Sequence, residues 1–270
     1  MSEGYEDTGY DAPASSPCLL DSLHPEILRQ SAPPASLALV NSLSRVFGMR
    51  LDHEHGESPD NRFLGDLAGL FQQRKLEPET TLEVHDAPWS QVYLIQYGVM
   101  RLYREAPSGR IAVHHFFSEG DLIWPVFGRT RTRRNTLCLT TVTNCTLWTA
   151  SFPAFRSAVT ARGEGAWAGF ALSLTEELAE LTSMREFRKQ TMPAKERYQL
   201  LLEEYPELVQ RVPDNQLAAW LGVVPATFSR LKNAKPVSDP TTNPDLDHAV
   251  EIDHFLISQQ RNRSWAPGRR

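Results

Sequence analysis

The spacing of apolar residues changes along the chain, and each spacing predicts a different kind of element. In the ranges 19–49 and 63–71, apolar residues recur at helical intervals, which predicts two short helices separated by Pro33 and Pro34 and then a third helix. From 76 to 152, short apolar and β-branched runs alternate with turn residues, which is typical of the strands of a β-barrel or sandwich. The pattern therefore predicts a fold of the α+β class.

A stripe of residues between 167 and 185 recurs alternately every four and every three positions. This period of about 3.5 residues favours two long helices that wind around each other. We expect the stripe to form the seam of a homodimer, because soluble oligomers are mostly twofold dimers; the alternative is that it packs on its own domain. The predicted seam residues are Trp167, Ala171, Leu174, Leu178 and Leu181, and Arg185 continues the same spacing.

Shorter helices are predicted after this long one. Pro193 should end the long helix, since proline lacks the amide hydrogen that a helix interior needs. A strongly periodic helix is predicted over 194–205, and we interpret the range 206–215 as a short connector.

Two short helices joined by a tight turn are predicted between 214 and 235. Asp214 or Asn215 can cap the first helix with a side-chain oxygen. Gly222 can adopt the positive φ of a sharp turn, and Pro225 suits the first turn of the second helix. The inward positions are Leu217, Ala218, Leu221, Phe228 and Leu231. This pattern indicates a helix-turn-helix, whose second helix can enter the DNA major groove; the alternative is a helical hairpin without a ligand.

Outward residues of this pair are the candidate DNA contacts. Arg230 can donate two hydrogen bonds to guanine, whereas Thr227 and Ser229 suit phosphates or weaker base contacts. Lys232 and Arg211 are expected to bind phosphates. The full predicted set is Arg211, Asn215, Gln216, Pro225, Ala226, Thr227, Ser229, Arg230 and Lys232.

Charge is unevenly distributed along the chain. The net charge is −5, but the segment 185–235 holds three more basic than acidic residues, which favours a nucleic-acid partner for this segment. Three cysteines are too few for a disulfide framework, so a reduced, cytoplasmic protein is expected. No apolar run approaches the roughly 18 residues that span a bilayer, and the polar amino terminus lacks a secretory pattern, so no membrane partner is predicted.

Several motifs, in their order along the chain, resemble those of the cyclic-AMP receptor protein / fumarate–nitrate regulator (CRP/FNR-like) family. Within residues 63–233 they are LFQQRKLEPETTL, VYLIQYGVMRLY, FFSEGDLI, SFPAFR, the long helix and VPDNQLAAWLGVVPATFSRLKN. The resemblance implies a double-stranded β-helix (jelly-roll-like) sensor domain, a dimerisation helix and a C-terminal helix-turn-helix domain. It also implies a homodimeric transcription regulator, not an enzyme, that binds promoter DNA, contacts RNA polymerase and responds to a small-molecule effector.

The resemblance also suggests where the chain divides. The expected divisions are an extension over 1–61 that is partly disordered and then helical, the cyclic-nucleotide-binding-like sensor domain over 62–162, the dimerisation helix over 163–190, the helix-turn-helix domain over 191–236 and a tail over 237–270. The Pro- and Asp-rich start of the tail departs from relatives that carry a β-hairpin wing there, so no wing is expected.

Two further departures from the family concern its ligands. Cyclic-nucleotide-binding members carry Gly-Glu for the ribose and Arg-Ser-Ala for the cyclic phosphate. Here the matching positions hold Trp-Pro at 124–125 and Asn-Thr-Leu at 135–137, and the nearest arginine is Arg134, so cyclic AMP is not the expected effector. Members with an iron–sulfur cluster use four cysteines, whereas only Cys18 lies near the amino terminus, so no cofactor is predicted.

An arginine-rich loop is the predicted effector pocket. Such closely spaced arginines could hold a phosphate or carboxylate; the alternative is a solvated loop. The predicted pocket residues are Trp124, Arg129, Arg131, Arg133, Arg134 and Thr136. A further aromatic set is expected to pack inside the barrel, namely Trp89, Tyr93, Tyr97, Trp124, Phe127 and Trp148.

Two other functions compete with DNA-binding regulation. His53, Glu54 and His55 have the His-x-His spacing of metal-dependent, cupin-like β-barrel enzymes, but they lie in a polar loop before the barrel, and no metal site is predicted. The second competitor is a CRP-like sensor that acts by protein contact without DNA binding, because Pro225 and Ala226 replace the polar base-reading residues of many relatives.

Overall fold

The computed structural model describes residues 36–51, 58–84, 87–125 and 137–234. The predicted first helix near residue 20, the His-x-His loop, most of the arginine-rich loop and the tail lie outside these ranges. Within the described part of the chain, no helix is both long and apolar enough to cross a membrane.

Two four-stranded antiparallel sheets make up the β-domain. The strands are β1 (Gln72–Leu76), β2 (Thr81–Glu83), β3 (Gln91–Tyr97), β4 (Met100–Glu105), β5 (Ile111–Phe117), β6 (Leu122–Ile123), β7 (Leu137–Thr141) and β8 (Cys145–Ser151). Their order is β1-β8-β3-β6 in the first sheet and β2-β7-β4-β5 in the second. Of the two predicted alternatives, a barrel or a sandwich, the structure shows the sandwich.

Strand β3 is buried on both of its faces. Tyr93 and Ile95 lie in an apolar core between the two sheets, whereas Val92 and Leu94 lie in a second core on the other side of the first sheet. Because side chains of a strand alternate between its faces, a strand covered on both sides needs a continuous apolar run. The sequence VYLI supplies that run.

One aromatic residue expected inside the sandwich lies at the surface. Trp89 and Tyr93 are buried between the sheets, as predicted. Trp124 and Trp148 are also buried, but in the second core outside the sandwich, so their predicted position is wrong. Tyr97 is 59 % exposed, so its predicted position is wrong. The pairing of β3 with β8 shifts between Ile95 and Tyr97, and such an irregularity breaks the alternation that would have turned Tyr97 inward. Phe127 lies outside the described residues.

Four helices build the second core against the first sheet. They are α1 (Leu37–Val46), α2 (Pro59–Ala68), α3 (Phe152–Thr160) and α4 (Ala166–Thr191). The ring of Phe47 stacks on Phe170 at 4.7 Å, and Phe155 lies fully buried beside them. The helices predicted around residues 37–47 and 63–71 are confirmed, but α2 ends at Ala68, before the predicted Leu70 and Phe71. It also begins earlier, because Ser58 caps it and Pro59 fits its first turn.

Part of the α4 stripe is covered by its own chain. The helix has 26 residues and ends at Thr191, before Pro193, as predicted. Trp167, Ala171 and Leu174 pack, partly buried, against the second core. Packing on its own domain, the alternative interpretation, therefore holds for this half of the stripe. Leu181, predicted for the same seam, lines a cavity within its own chain, so it is covered there as well. Pairing of two copies through α4 stays a prediction.

Four short helices follow α4 among the described residues. They are α5 (Ala194–Glu204), α6 (Pro206–Arg211), α7 (Asp214–Leu221) and α8 (Pro225–Asn233). The helix predicted over 194–205 is confirmed. The interpretation of 206–215 as a connector is wrong, because Pro206 opens a helical turn that buries Leu208.

Candidate nucleic-acid interface

The turn between α7 and α8 contains a glycine in the left-handed conformation. Gly222 has φ 72° and ψ 33°, and the amide of Val223 donates to the carbonyl oxygen of Ala218 at 3.0 Å. A Cβ at position 222 would come no closer than 3.6 Å to a neighbour, the side chain of Lys189. The backbone conformation, not a lack of space, therefore requires glycine. Pro225 occupies the first turn of α8, as predicted.

Phe228 determines which face of α8 points inward. Its side chain is 1 % exposed, and its ring meets Tyr198 edge to face at 5.4 Å. Leu217 and Ala218 of α7 are fully buried in the same apolar cluster. The opposite face of α8 lies at the surface.

That surface carries most of the residues predicted to contact DNA. We call it the α8 surface, and it comprises Pro225, Ala226, Thr227, Ser229 and Arg230. Thr227 is half-buried and the other four are exposed. Arg230 has no hydrogen-bond or ion-pair partner within the described ranges. An exposed guanidinium whose donors are not used within the described ranges can donate a pair of hydrogen bonds to the N7 and O6 atoms of guanine.

Lys232 is paired within the chain. Its Nζ lies 2.9 Å from both carboxylate oxygens of Asp214, and this hydrogen bonding raises the pKa of Lys232. A DNA phosphate would have to compete with the Asp214 carboxylate for Lys232. The sequence did not indicate this ion pair. The predicted cap is also wrong: α7 begins at Asp214 itself, Pro213 precedes it, and neither Asp214 nor the exposed Asn215 caps the helix.

Arg211 and Gln216 face the β-sandwich, in contrast to their predicted role. Nη1 and Nη2 of Arg211 donate to the carboxylate of Glu119, at 2.9 and 2.6 Å, and the guanidinium lies 5.6 Å from the ring of Tyr97. Gln216 is 7 % exposed, and its Nε2 donates to Glu79 at 3.1 Å. In this conformation both side chains are engaged away from DNA, because each binds a glutamate in a turn between two strands.

Trp220 is the apolar centre of the same contact. Its ring meets Phe116 of β5 at 5.4 Å and Tyr205 at 5.1 Å, both edge to face. Sequence reasoning missed Trp220 together with Glu79 and Glu119. The helical spacing of Trp220 from Leu217 indicated burial, but nothing in the sequence assigned the two glutamates as partners of α6 and α7.

The remaining site predictions can be placed only in part. Trp124 is buried in the second apolar core, where its ring meets Trp167 at 5.4 Å. The other predicted effector residues lie outside the described ranges, namely Arg129, Arg131, Arg133, Arg134 and Thr136.

Burial lowers the pKa of His114 to about 4 and of His115 to about 3. In the described ranges, no three His, Cys, Asp or Glu side chains lie together as a metal ion would need.

Comparison with solved structures identifies the fold. FixK2 from Bradyrhizobium japonicum is 14 % identical over 60 % of this chain and 82 % of its own, with a TM-score of 0.50. A transcriptional regulator of the CRP/FNR family from Eubacterium rectale is 12 % identical over 63 % of this chain and 79 % of its own, also with a TM-score of 0.50. No sequence-family model and no curated protein matches the chain. The predicted CRP/FNR-like fold is confirmed.

Proposed function

On the premise of this CRP/FNR-like fold, we propose that the protein is a homodimeric, sequence-specific DNA-binding transcription regulator. The observation that carries the proposal is the α8 surface. Phe228 holds one face of α8 in the core, so Ser229 and Arg230 are presented outward on a helix that begins just after a glycine turn. The α7–α8 pair would act as the helix-turn-helix, with α8 in the major groove.

The remaining parts of the proposal concern control. The β-sandwich, with its helices, would act as the sensor domain, and the effector would be a small molecule other than cyclic AMP. Promoter DNA and RNA polymerase would be the macromolecular partners, in a protein that is not itself an enzyme.

Pairing through α4 is supported by apolar side chains that the chain leaves uncovered. Leu172 is 58 % exposed and Phe187 is 51 % exposed. At 3.6 residues per turn both lie on the face of α4 opposite the predicted seam, so this face, and not the stripe of Leu178 and Leu181, is the one that a partner would cover. A second copy of α4 would remove such side chains from water. Two α8 helices related by a twofold axis would then meet half-sites about 34 Å apart, so the operator should be nearly palindromic.

Anisotropy titrations against genomic DNA fragments, at two salt concentrations, test the proposal. Arg230→Ala should weaken binding to a specific site by roughly 1–3 kcal/mol and relax discrimination at one base pair. The control is Arg110→Ala, which removes an exposed arginine between β4 and β5 and should keep the wild-type affinity. Equal affinity and an unchanged footprint for Arg230→Ala would contradict the role given to α8.

One observation favours a second candidate, a sensor that acts by protein contact. Arg211 and Lys232 are both occupied by carboxylates of the chain, which reduces the positive charge that α6–α8 can offer to phosphates. A folded protein that binds no genomic fragment even at low salt would support this candidate and contradict DNA binding.

A further inference from the structure

A cavity of about 70 Å³ lies where the carboxy-terminal half of α4 meets α5, α7 and β5. We call it the junction pocket. Its wall includes Leu181 and Arg185 of α4, Arg197 of α5, Trp220 of α7 and His115 of β5. One buried water needs roughly 10–15 Å³ of cavity volume, so the junction pocket can hold a few waters or one small organic molecule.

Positive charge exceeds negative charge around the junction pocket. The cations in its wall are Arg185, Arg188, Lys189 and Arg197, and the one carboxylate there is that of Glu204. Arg188 donates to both oxygens of Glu204 at 2.8 Å, so these two charges neutralise each other. Arg197 donates to the carbonyl oxygen of Met192 at 2.7 Å, which orients its guanidinium without cancelling its charge.

Arg185 carries a buried hydrogen-bond donor in this wall. Its Nη1 is buried and has no hydrogen-bond partner within the described ranges, and its guanidinium lies 6.0 Å from the ring of Trp220. Burial lowers the pKa of Arg185, and the pKa of His115 falls through burial and through repulsion from Arg185. Buried cations in proteins are ordinarily paired, because desolvation of an unpaired charge is costly.

We propose that the junction pocket binds a small organic anion, with its carboxylate or phosphate group on Arg185 and Lys189. Lys189 is exposed at the rim, so it offers both a second charge and a route from solvent. The apolar part of the ligand would lie on Leu181, Leu200 and the ring of Trp220. This chemistry fits a short-chain carboxylate or a small phosphorylated compound, and it places the ligand outside the β-sandwich.

Occupancy would also influence α7 and α8. The ligand would bridge α4 to α7 through Arg185 and Trp220, and α7 carries the Gly222 turn. An anion in the junction pocket would therefore stabilise the arrangement in which α7 lies against β5. This regulatory part rests on the proposed DNA-binding function, whereas binding of the anion itself does not.

Thermal unfolding of the full chain tests the site directly. The probes are acetate, succinate and inorganic phosphate, each compared with sodium chloride at the same ionic strength. A ligand that binds the folded state raises its Tm with a saturable dependence on concentration. We expect such a rise with at least one probe, and the acetate, succinate and phosphate arms distinguish a carboxylate from a phosphate ligand.

Matched variants locate the effect. Arg185→Gln should abolish the saturable rise, and Lys189→Gln should weaken the apparent affinity several-fold. Arg110→Gln and Lys195→Gln remove exposed cations that do not line the junction pocket, so both should behave as the wild type. Should Arg185→Gln fail to fold, Lys189→Gln decides, because that side chain is exposed. No saturable rise in the wild type, or an equal rise in Lys189→Gln, would overturn the proposal.

A DNA titration with the same probes separates the site from its regulatory role. A change in DNA affinity that Lys189→Gln removes supports regulation through the junction pocket. A Tm rise with unchanged DNA affinity supports the site and refutes its regulatory role. A Tm rise in a protein that binds no DNA under any condition supports the site and contradicts the proposed function.

Discussion

The ion pair between Arg188 of α4 and Glu204 of α5 should be important for stability. Their side chains are 13 % and 5 % exposed, and two hydrogen bonds of 2.8 Å join them. Glu204→Ala would remove the one carboxylate in the junction pocket wall and leave Arg188 buried beside Arg185 and Lys189. Breaking a buried pair in this way costs about 3–5 kcal/mol, so we expect a loss of unfolding free energy in that range.

The double variant Arg188→Met/Glu204→Leu is the informative control. It removes both charges and fills the space with apolar atoms, so its stability should lie within about 1–2 kcal/mol of the wild type. Arg188→Met alone should cost less than Glu204→Ala, because the remaining carboxylate lies in a wall that still holds the cations Arg185 and Arg197. This order of stabilities follows from the excess of cations around the junction pocket.

Urea unfolding followed by circular dichroism measures these free energies. In thermal melts, Glu204→Ala should lower the Tm by roughly 6–20 °C, at about 2–4 °C per kcal/mol for a chain of this size. If Glu204→Ala lost less than about 1 kcal/mol of unfolding free energy, the pair would contribute no more than an exposed ion pair does, and the reasoning would be refuted. A double variant as unstable as Glu204→Ala would also refute the reasoning. The unpaired Arg188 could then not be the cause of the lost stability, because the double variant lacks Arg188.

Three further changes probe the turn, the contact with the β-sandwich and DNA binding. Gly222→Ala puts a Cβ on a left-handed backbone and should cost about 1–2 kcal/mol in urea melts, more than Gly222→Asn; equal stabilities would contradict the φ argument. Burial opposes ionisation of Glu119, but hydrogen bonds from Arg211 prevail and lower its pKa below 4.5 in the folded protein. The stability that the Glu119 carboxylate contributes should be present above its pKa in the unfolded chain and be lost as the pH falls through its pKa in the folded protein. Glu119→Gln should therefore cost about 0.5–1 kcal/mol at pH 7 and flatten the acid side of the pH–stability profile. An unchanged profile would argue against this ion pair. Lys232→Ala should reduce the slope of log affinity against log salt by less than the roughly one unit of a free phosphate contact, because Asp214 already pairs with Lys232; a full unit would contradict that competition.

Local backbone preferences made the α7–α8 turn predictable. Gly222 and Pro225 act through their own φ values, which depend on no distant residue, and both have the predicted conformational roles. The strands were predictable for a similar reason, because burial of a strand face imposes a period of two on its apolar residues.

The sequence could not predict the contacts of a side chain that has two favourable alternatives. The carboxylate of Asp214 can cap a helix or pair with a lysine, and the position of Lys232 after the turn selects the ion pair. The stripe on α4 likewise suits a second helix or the core of its own domain. Trp167 and its neighbours pack on that core because Phe47 and Phe170 complete it there.

The sequence by itself determined the strands and the described helices other than α6, and it determined which face of α8 is apolar. Only the tertiary structure decided the partners of Arg211 and Gln216. Helical periodicity sets the direction in which a side chain leaves its helix, but it carries no information about the segment found there. Glu119 and Glu79 lie 92 and 137 positions before the residues that they bind, and that distance is closed only when the helices pack against the sheets.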